Sequence, residues 1–212
     1  MVFANRQQAG EILAEELATH KLNPKKTIIA GIPRGGMVVA NSISERLGIP
    51  LTAVVIKKLG APNNAELAIG AVAAHGEPVL DQWLIKDLGV ETDWIKKEIK
   101  KKKREAQKRE KYLGVSLETD KFRGKTVIIV DDGLATGQTA RAAAKIIKVG
   151  AAKIILAVPC ASPSTIDLVK DEFAKVICLE VDRNLMAVGQ FYRDFGEVSD
   201  EEVREILRRQ II

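Results

Sequence analysis

The sequence predicts an α/β fold built on a parallel sheet, and three observations carry that prediction. Five short β-branched runs recur, at Thr27 to Ile32, Leu51 to Lys57, Thr126 to Asp131, Lys153 to Pro159 and Lys175 to Val181. They are apolar along their length rather than alternating, which suits strands buried on both faces. Amphipathic stretches lie between them, so each strand has a helix with which to cross over to a parallel neighbour.

Those helices are read at Met37 to Leu47, Gln138 to Val149 and Ser164 to Phe173; Gly48 and Gly150 stand where a C-terminal glycine stop belongs. An opening helix is expected from Arg6 to about Lys21, capped by Asn5, with Ala9, Ile12, Leu13 and Leu17 on one face. No functional role is required of it. Residues 58–125 are too many for a single crossover between the second and third strands, so an inserted element is expected over 67–120. Ahead of it, Lys58 to Glu66 (KLGAPNNAE) reads as a loop. Within it, Leu67 to Ala74 and Pro78 to Leu80 read as a hairpin around His75 and Gly76, followed by Gln82 to Leu88 and a long helix from about Asp93 to Leu113. The apolar stripe of that helix is sparse: Ile95, Ile99, Ala106 and Leu113.

The length of 212 residues suits one domain spanning 1–212. A hydrophobic fraction of 46% with 29% charge excludes disorder and fibre. No apolar run approaches the roughly 20 residues of a membrane helix, and the first residues lack a secretory pattern, so a cytoplasmic protein without a membrane partner is expected. Cys160 and Cys178 sit in apolar runs without metal-ligand spacing and read as buried thiols. His20 and His75 give no zinc signature. The net charge of +5 is unevenly spread: Lys96 to Lys111 holds eight Lys and two Arg against three Glu, a local +7 that leaves the remainder at about −2. A solvated helix face accounts for this, and nucleic acid is not an expected partner.

Chemistry concentrates in Val127 to Ala140, VIIVDDGLATGQTA. A strand delivers Asp131 and Asp132 to the carboxyl edge of a sheet, where ligands of open α/β folds sit. The turn Ala135, Thr136, Gly137, Gln138, Thr139 can then aim backbone N–H groups and two hydroxyls at a phosphate on the next helix N-terminus. After the first strand, Gly31-Ile32-Pro33-Arg34-Gly35-Gly36 offers two glycines for close approach to an anion and an arginine to grip it. Lys57-Lys58 end the second strand. A P-loop GxxxxGK[ST] and a dinucleotide GxGxxG are both missing.

VIIVDDGLATGQT closely resembles the phosphoribosyl pyrophosphate (PRPP) signature of the type I phosphoribosyltransferases, and GIPRGG resembles the family's pyrophosphate loop. The helical insertion, Tyr112-Leu113-Gly114 and the ending AVGQFYRDFGEVSDEEV are similar to an uncharacterised bacterial and archaeal subgroup. The resemblance implies a type I phosphoribosyltransferase-like sheet of about five strands with a C-terminal hood, and a pentosyltransferase that moves 5-phosphoribose from PRPP to a small-molecule nitrogenous acceptor. It implies the 5-phosphate on Ala135 to Thr139, the ribose hydroxyls on Asp131 and Asp132, and pyrophosphate on Arg34, Gly35, Gly36, Lys57 and Lys58. It further implies a cis peptide at Pro33–Arg34 and Mg²⁺ held through PRPP, with Asp131 and Asp132 as candidate ligands. A homodimer is the expected assembly. For the acceptor, Phe191 and Tyr192, with Phe195, form an aromatic cluster suited either to stacking on a base or to pinning the hood. A PRPP- or nucleotide-sensing regulator on the same fold is the alternative.

Overall fold

The structure, a computed structural model, describes residues 2–116, 119–148 and 150–210, the side chains of 65, 66 and 119 aside. In chain order its elements are α1 (Arg6–Ala18), β1 (Thr27–Gly31), α2 (Gly35–Leu47), β2 (Leu51–Ala53), β3 (Lys57–Ala61), β4 (Asn64–Val72), β5 (Val79–Leu80), α3 (Gln82–Asp87) and α4 (Thr92–Leu113). Then follow β6 (Thr126–Val130), α5 (Gln138–Ile147), β7 (Lys153–Ala161), α6 (Pro163–Val169), β8 (Lys175–Val181) and α7 (Asp200–Arg209).

Five strands form a wholly parallel sheet in the order β2-β1-β6-β7-β8. Successive side chains of a strand point to opposite faces, and each face has its own cover. Ile29, Ile128 and Ile155 meet Leu13 and Leu17 of α1 and Met37 and Ile43 of α2, with Val203 and Leu207 of α7 in the same cluster. Ile28, Ile129 and Leu156 meet Ala140, Ala143 and Ile147 of α5 and Val169 of α6. Each fully buried aliphatic side chain contributes about 1.5–3 kcal/mol, which is why uninterrupted apolar runs specify this sheet.

The register lines up the strand ends. Gly31 pairs with Val130 and with Ala53, and Val130 pairs with Ala157. The loops leaving β1 and β6 therefore start side by side, at the switch point where the chain crosses from one half of the sheet to the other.

Several boundaries differ from expectation. The second strand stops at Ala53 rather than Lys57: beyond the Val54 N–H, which donates to Gly31 O at 2.9 Å, the chain leaves the parallel sheet. Lys57 and Lys58 instead open β3, in a separate three-stranded antiparallel sheet β3-β4-β5. The stretch Lys58 to Glu66 is thus largely strand, turning at Pro62-Asn63, with register shifts around Gly60 that its loop-like composition reflects. The hairpin around His75 and Gly76 is present as β4–β5, and Gly76 at φ +80° makes the left-handed turn. The opening helix ends at Ala18, and the helix from Ser164 to Phe173 is α6 followed by a 3-10 turn over 170–172. Val149, expected at the end of α5, lies outside the described residues.

Helix α4 covers one face of the inserted sheet through a small cluster of Leu59, Ile69, Val72 and Ile95. Its far end reaches the C-terminal helix: Arg109 pairs with Asp200 at 2.6 Å, and Tyr112 OH donates to Glu201 at 2.5 Å. Among the described residues, no helix is long and apolar enough to cross a membrane. Cys160 and Cys178 are free thiols, and burial pushes each up to about 12.

Candidate active site

The carboxyl edge of β6 holds the two aspartates. Asp131 turns its Oδ1 back to accept the Asp132 N–H at 3.0 Å. Burial, and next the adjacent Asp132 charge, raise the Asp131 carboxyl well above the usual carboxylate range. Asp132 has a cation instead: Arg6 Nε donates to its Oδ2 at 2.7 Å, with only 11% and 17% of the two side chains exposed.

After the aspartates, the chain turns at Gly137, whose φ of +69° and contact with α6 both require glycine. A Cβ there would lie 2.5 Å from Val169 Cγ1. Thr165 Oγ1 steadies the turn by donating to Ala135 O at 3.0 Å. Helix α5 starts immediately, at Gln138, so its first N–H groups, which have no partner within the helix, face the same concavity. Ala135 and Thr136 are exposed. The hydroxyls of Thr136 and Thr139 have no hydrogen-bond partner among the described residues.

The loop after β1 lies against this turn. The Pro33–Arg34 peptide is cis, as the family resemblance implies. A Cβ on Gly36 would sit 2.8 Å from Asp131 Cα and 2.9 Å from Val130 O; one on Gly35 would sit 1.9 Å from Asp132 Oδ2. The two glycines are thus the contact surface between loop and aspartates. Arg34 projects outward and pairs with Glu197 at 2.7 Å.

Lys57 and Lys58 lie in the inserted sheet rather than the parallel one. Lys58 lines a cavity of about 330 Å³ together with Gln138 and Arg141. Phe191 and Tyr192, expected as surfaces for a planar acceptor, are each 6% exposed and packed with Phe3, Ala9 and Cys160. Tyr192 OH donates to Asp132 O at 2.6 Å, and burial raises its phenol. Tyr192 thus ties its segment to the aspartate turn, while Phe191 packs into the cluster around Phe3.

Arg6 is the residue that the sequence reading passed over. Besides Asp132, its Nη1 donates to Gly196 O at 2.8 Å, and its guanidinium lies 3.7 Å from the centroid of the Phe195 ring. One signal pointed to it. A cation at the first position of a helix opposes the helix dipole, and α1 has no acidic residue in that turn to offset it. Such a placement calls for a carboxylate elsewhere, and Asp132 is 126 residues away.

A parallel sheet whose switch point joins a glycine loop to two carboxylates and a helix N-terminus defines an open α/β protein with its candidate site at the carboxyl edge of the strands. The chain belongs to the phosphoribosyl transferase domain family, which matches residues 3–195. It is similar to the Thermus thermophilus protein TT1426, at 38% identity and a TM-score of 0.86 over 99% of both chains. Two Mycobacterium tuberculosis proteins, from strains CDC 1551 and H37Rv, carry names that assign them provisionally to the phosphoribosyl transferases. Each is 35% identical over 209 residues, 98% of this chain. The chain spans about half the length, 47%, of those curated relatives. AQ2163 of Aquifex aeolicus shares the fold, with a TM-score of 0.50 at 16% identity over 84% of this chain and 74% of that one.

Proposed function

We propose that the protein transfers the 5-phosphoribosyl group of PRPP to a nitrogenous acceptor, a base being the leading candidate, with release of pyrophosphate. The observation that carries this reading is the seating of Gly35 and Gly36 against Asp132 and Asp131. It sets an anion-ready loop beside two carboxylates, at a spacing only glycine permits. The whole chain acts as one catalytic unit, the insertion contributing cations and the segment 160–212 the cover.

On this reading the 5-phosphate lies on Ala135 to Thr139, using N–H groups, the free hydroxyls of Thr136 and Thr139 and the α5 dipole. Asp131 and Asp132 accept hydrogen bonds from the ribose hydroxyls and stabilise positive charge developing at the anomeric carbon. The bond from that carbon to the pyrophosphate oxygen breaks, a bond to the acceptor nitrogen forms, and the nitrogen loses a proton. Gly35, Gly36, Arg34, Lys57 and Lys58 take the departing charge, Arg34 leaving Glu197 to do so. Two adjacent carboxylates are a fitting protein share for a Mg²⁺ ion otherwise held by phosphate oxygens. No cluster of three or more acidic, His or Cys residues offers a complete cage among the described residues. When bound, the ion neutralises diphosphate charge.

Titration calorimetry with PRPP and Mg²⁺, followed by a pyrophosphate-release screen over purines, pyrimidines and nicotinate-like acceptors, tests the reading. Binding with turnover on one acceptor is expected, and Asp131→Asn with Asp132→Asn should weaken PRPP binding at least tenfold, about 1.4 kcal/mol. Undiminished binding in that variant would sink the site assignment, and binding without turnover on any acceptor favours the sensor.

A further inference from the structure

Beside the phosphate turn, the inserted sheet and α5 enclose a cavity of about 330 Å³, within the range of small-molecule pockets, about 300–1,000 Å³. Its two walls differ in kind. Ala68, Ala71, Val79 and Leu80 of β4 and β5 present a small-residue, apolar surface. From α5, Gln138, Arg141 and Lys145 face it at one-turn intervals, and Lys58 of β3 enters from the side.

These cations are poorly satisfied within the protein. Lys58 has no hydrogen-bond or ion-pair partner among the described residues, and the same holds for the Gln138 amide. Arg141 Nε is buried without a partner, and its Nη2 lies 3.9 Å from Glu172, beyond hydrogen-bond distance. Lys145 is 3.4 Å from the same carboxylate. Asp81 also lines the cavity, but its Oδ1 is engaged in capping α3 through the Leu84 N–H. Three cations against Glu172 and Asp81 leave a modest positive excess. That balance suits one phosphate rather than a di- or triphosphate, and the opposite wall suits a flat apolar group.

We propose that this cavity is a second ligand site that takes a nucleoside monophosphate, its phosphate on Arg141, Lys145 and Lys58 and its base against Val79 and Leu80. The site goes beyond the transferase reading and stands apart from the aspartates. It shares Gln138 with the phosphate turn and Lys58 with the cations assigned to pyrophosphate, so its occupancy alters PRPP affinity, and PRPP alters its affinity by the same factor.

Calorimetry with AMP on three forms of the full chain tests this. Asp131→Asn with Asp132→Asn disables the ribosyl site and should still bind AMP. Arg141→Ala with Lys145→Ala should lose that binding tenfold or more while retaining PRPP binding, which also reports that it is folded. AMP binding that survives in the Arg141/Lys145 variant as in the wild type, or that vanishes only in the aspartate variant, overturns the proposal. So does a wild-type chain that does not bind AMP at millimolar concentration. Failure of PRPP to bind any form would count against the transferase reading alone.

Discussion

Strands β6 and β3 are both five residues long, yet β6 is buried at four of its positions while β3 carries Lys57 and Lys58 at or near the surface. β6 has a helical layer on each face; β3 has α4 on one. In the parallel sheet, packing from two sides dictates nearly every residue, and the register it enforces brings Gly31 and Val130 level. In the insertion, packing dictates one sparse stripe and charge fills the rest. The doubly covered sheet therefore fixes the aspartate turn firmly, and the insertion is the more lightly packed of the two regions.

The largest separation between the two regions should appear on cavity formation. Ile129→Ala, fully buried beneath α5, is expected to cost about 4 kcal/mol, and Ile95→Ala, in the insertion's small cluster, about 2 kcal/mol. Urea denaturation of both variants checks this, and equal costs would show that the insertion is as tightly built as the sheet.

Next in size is a trade between stability and binding at the aspartates. The Asp131 carboxyl is raised from 3.8 by burial and by the Asp132 charge, so the folded state favours its protonated form. Its stabilising contribution is complete below that ordinary value and is lost as pH rises through the raised one. Asp131→Asn should thus melt a few degrees higher than the wild type at neutral pH, with the gap closing below pH 4. A variant that melts lower at pH 7 would mean that the charge is compensated.

The smallest effect is expected on the lysine face. Replacing Lys100 and Lys101 with Gln should change stability by no more than about 0.5 kcal/mol, because both lysines are exposed and Lys101 meets Glu98 only at 3.9 Å. A larger loss, measured by thermal melting, would give this helix a structural role that its contacts do not suggest.

The same contrast explains what could be read from sequence. β1, β6 and β7 were legible to within about two residues because burial on both faces leaves an uninterrupted apolar run, and the edge strand β8 was legible from its β-branched and apolar residues although only Ile177 is buried. β3 was not, because Gly60, Pro62, Asn63 and Asn64 are turn residues by composition, and the pairing of Leu59 with Gly70 is invisible locally. At the site, the glycine loop and the aspartate turn are each contiguous and could be recognised. Arg6 and the Tyr192 hydroxyl act across the fold, and nothing in their immediate neighbours announces the partner. Lys57 and Lys58 were expected to end the second parallel strand and lie instead in β3, since the chain leaves the parallel layer after Ala53 at a point that no sequence signal marks.

Arg6 touches Asp132, the Gly196 carbonyl and the Phe195 ring, and close by, the Phe3 N–H donates to Phe191 O while the Arg193 N–H donates to Phe3 O. During synthesis, residues near position 3 leave the ribosome long before residues near position 195. A nascent chain can therefore assemble the parallel sheet and still lack the cover of its aspartate turn. That cover is complete only once residues 191–196 have met Phe3 and Arg6.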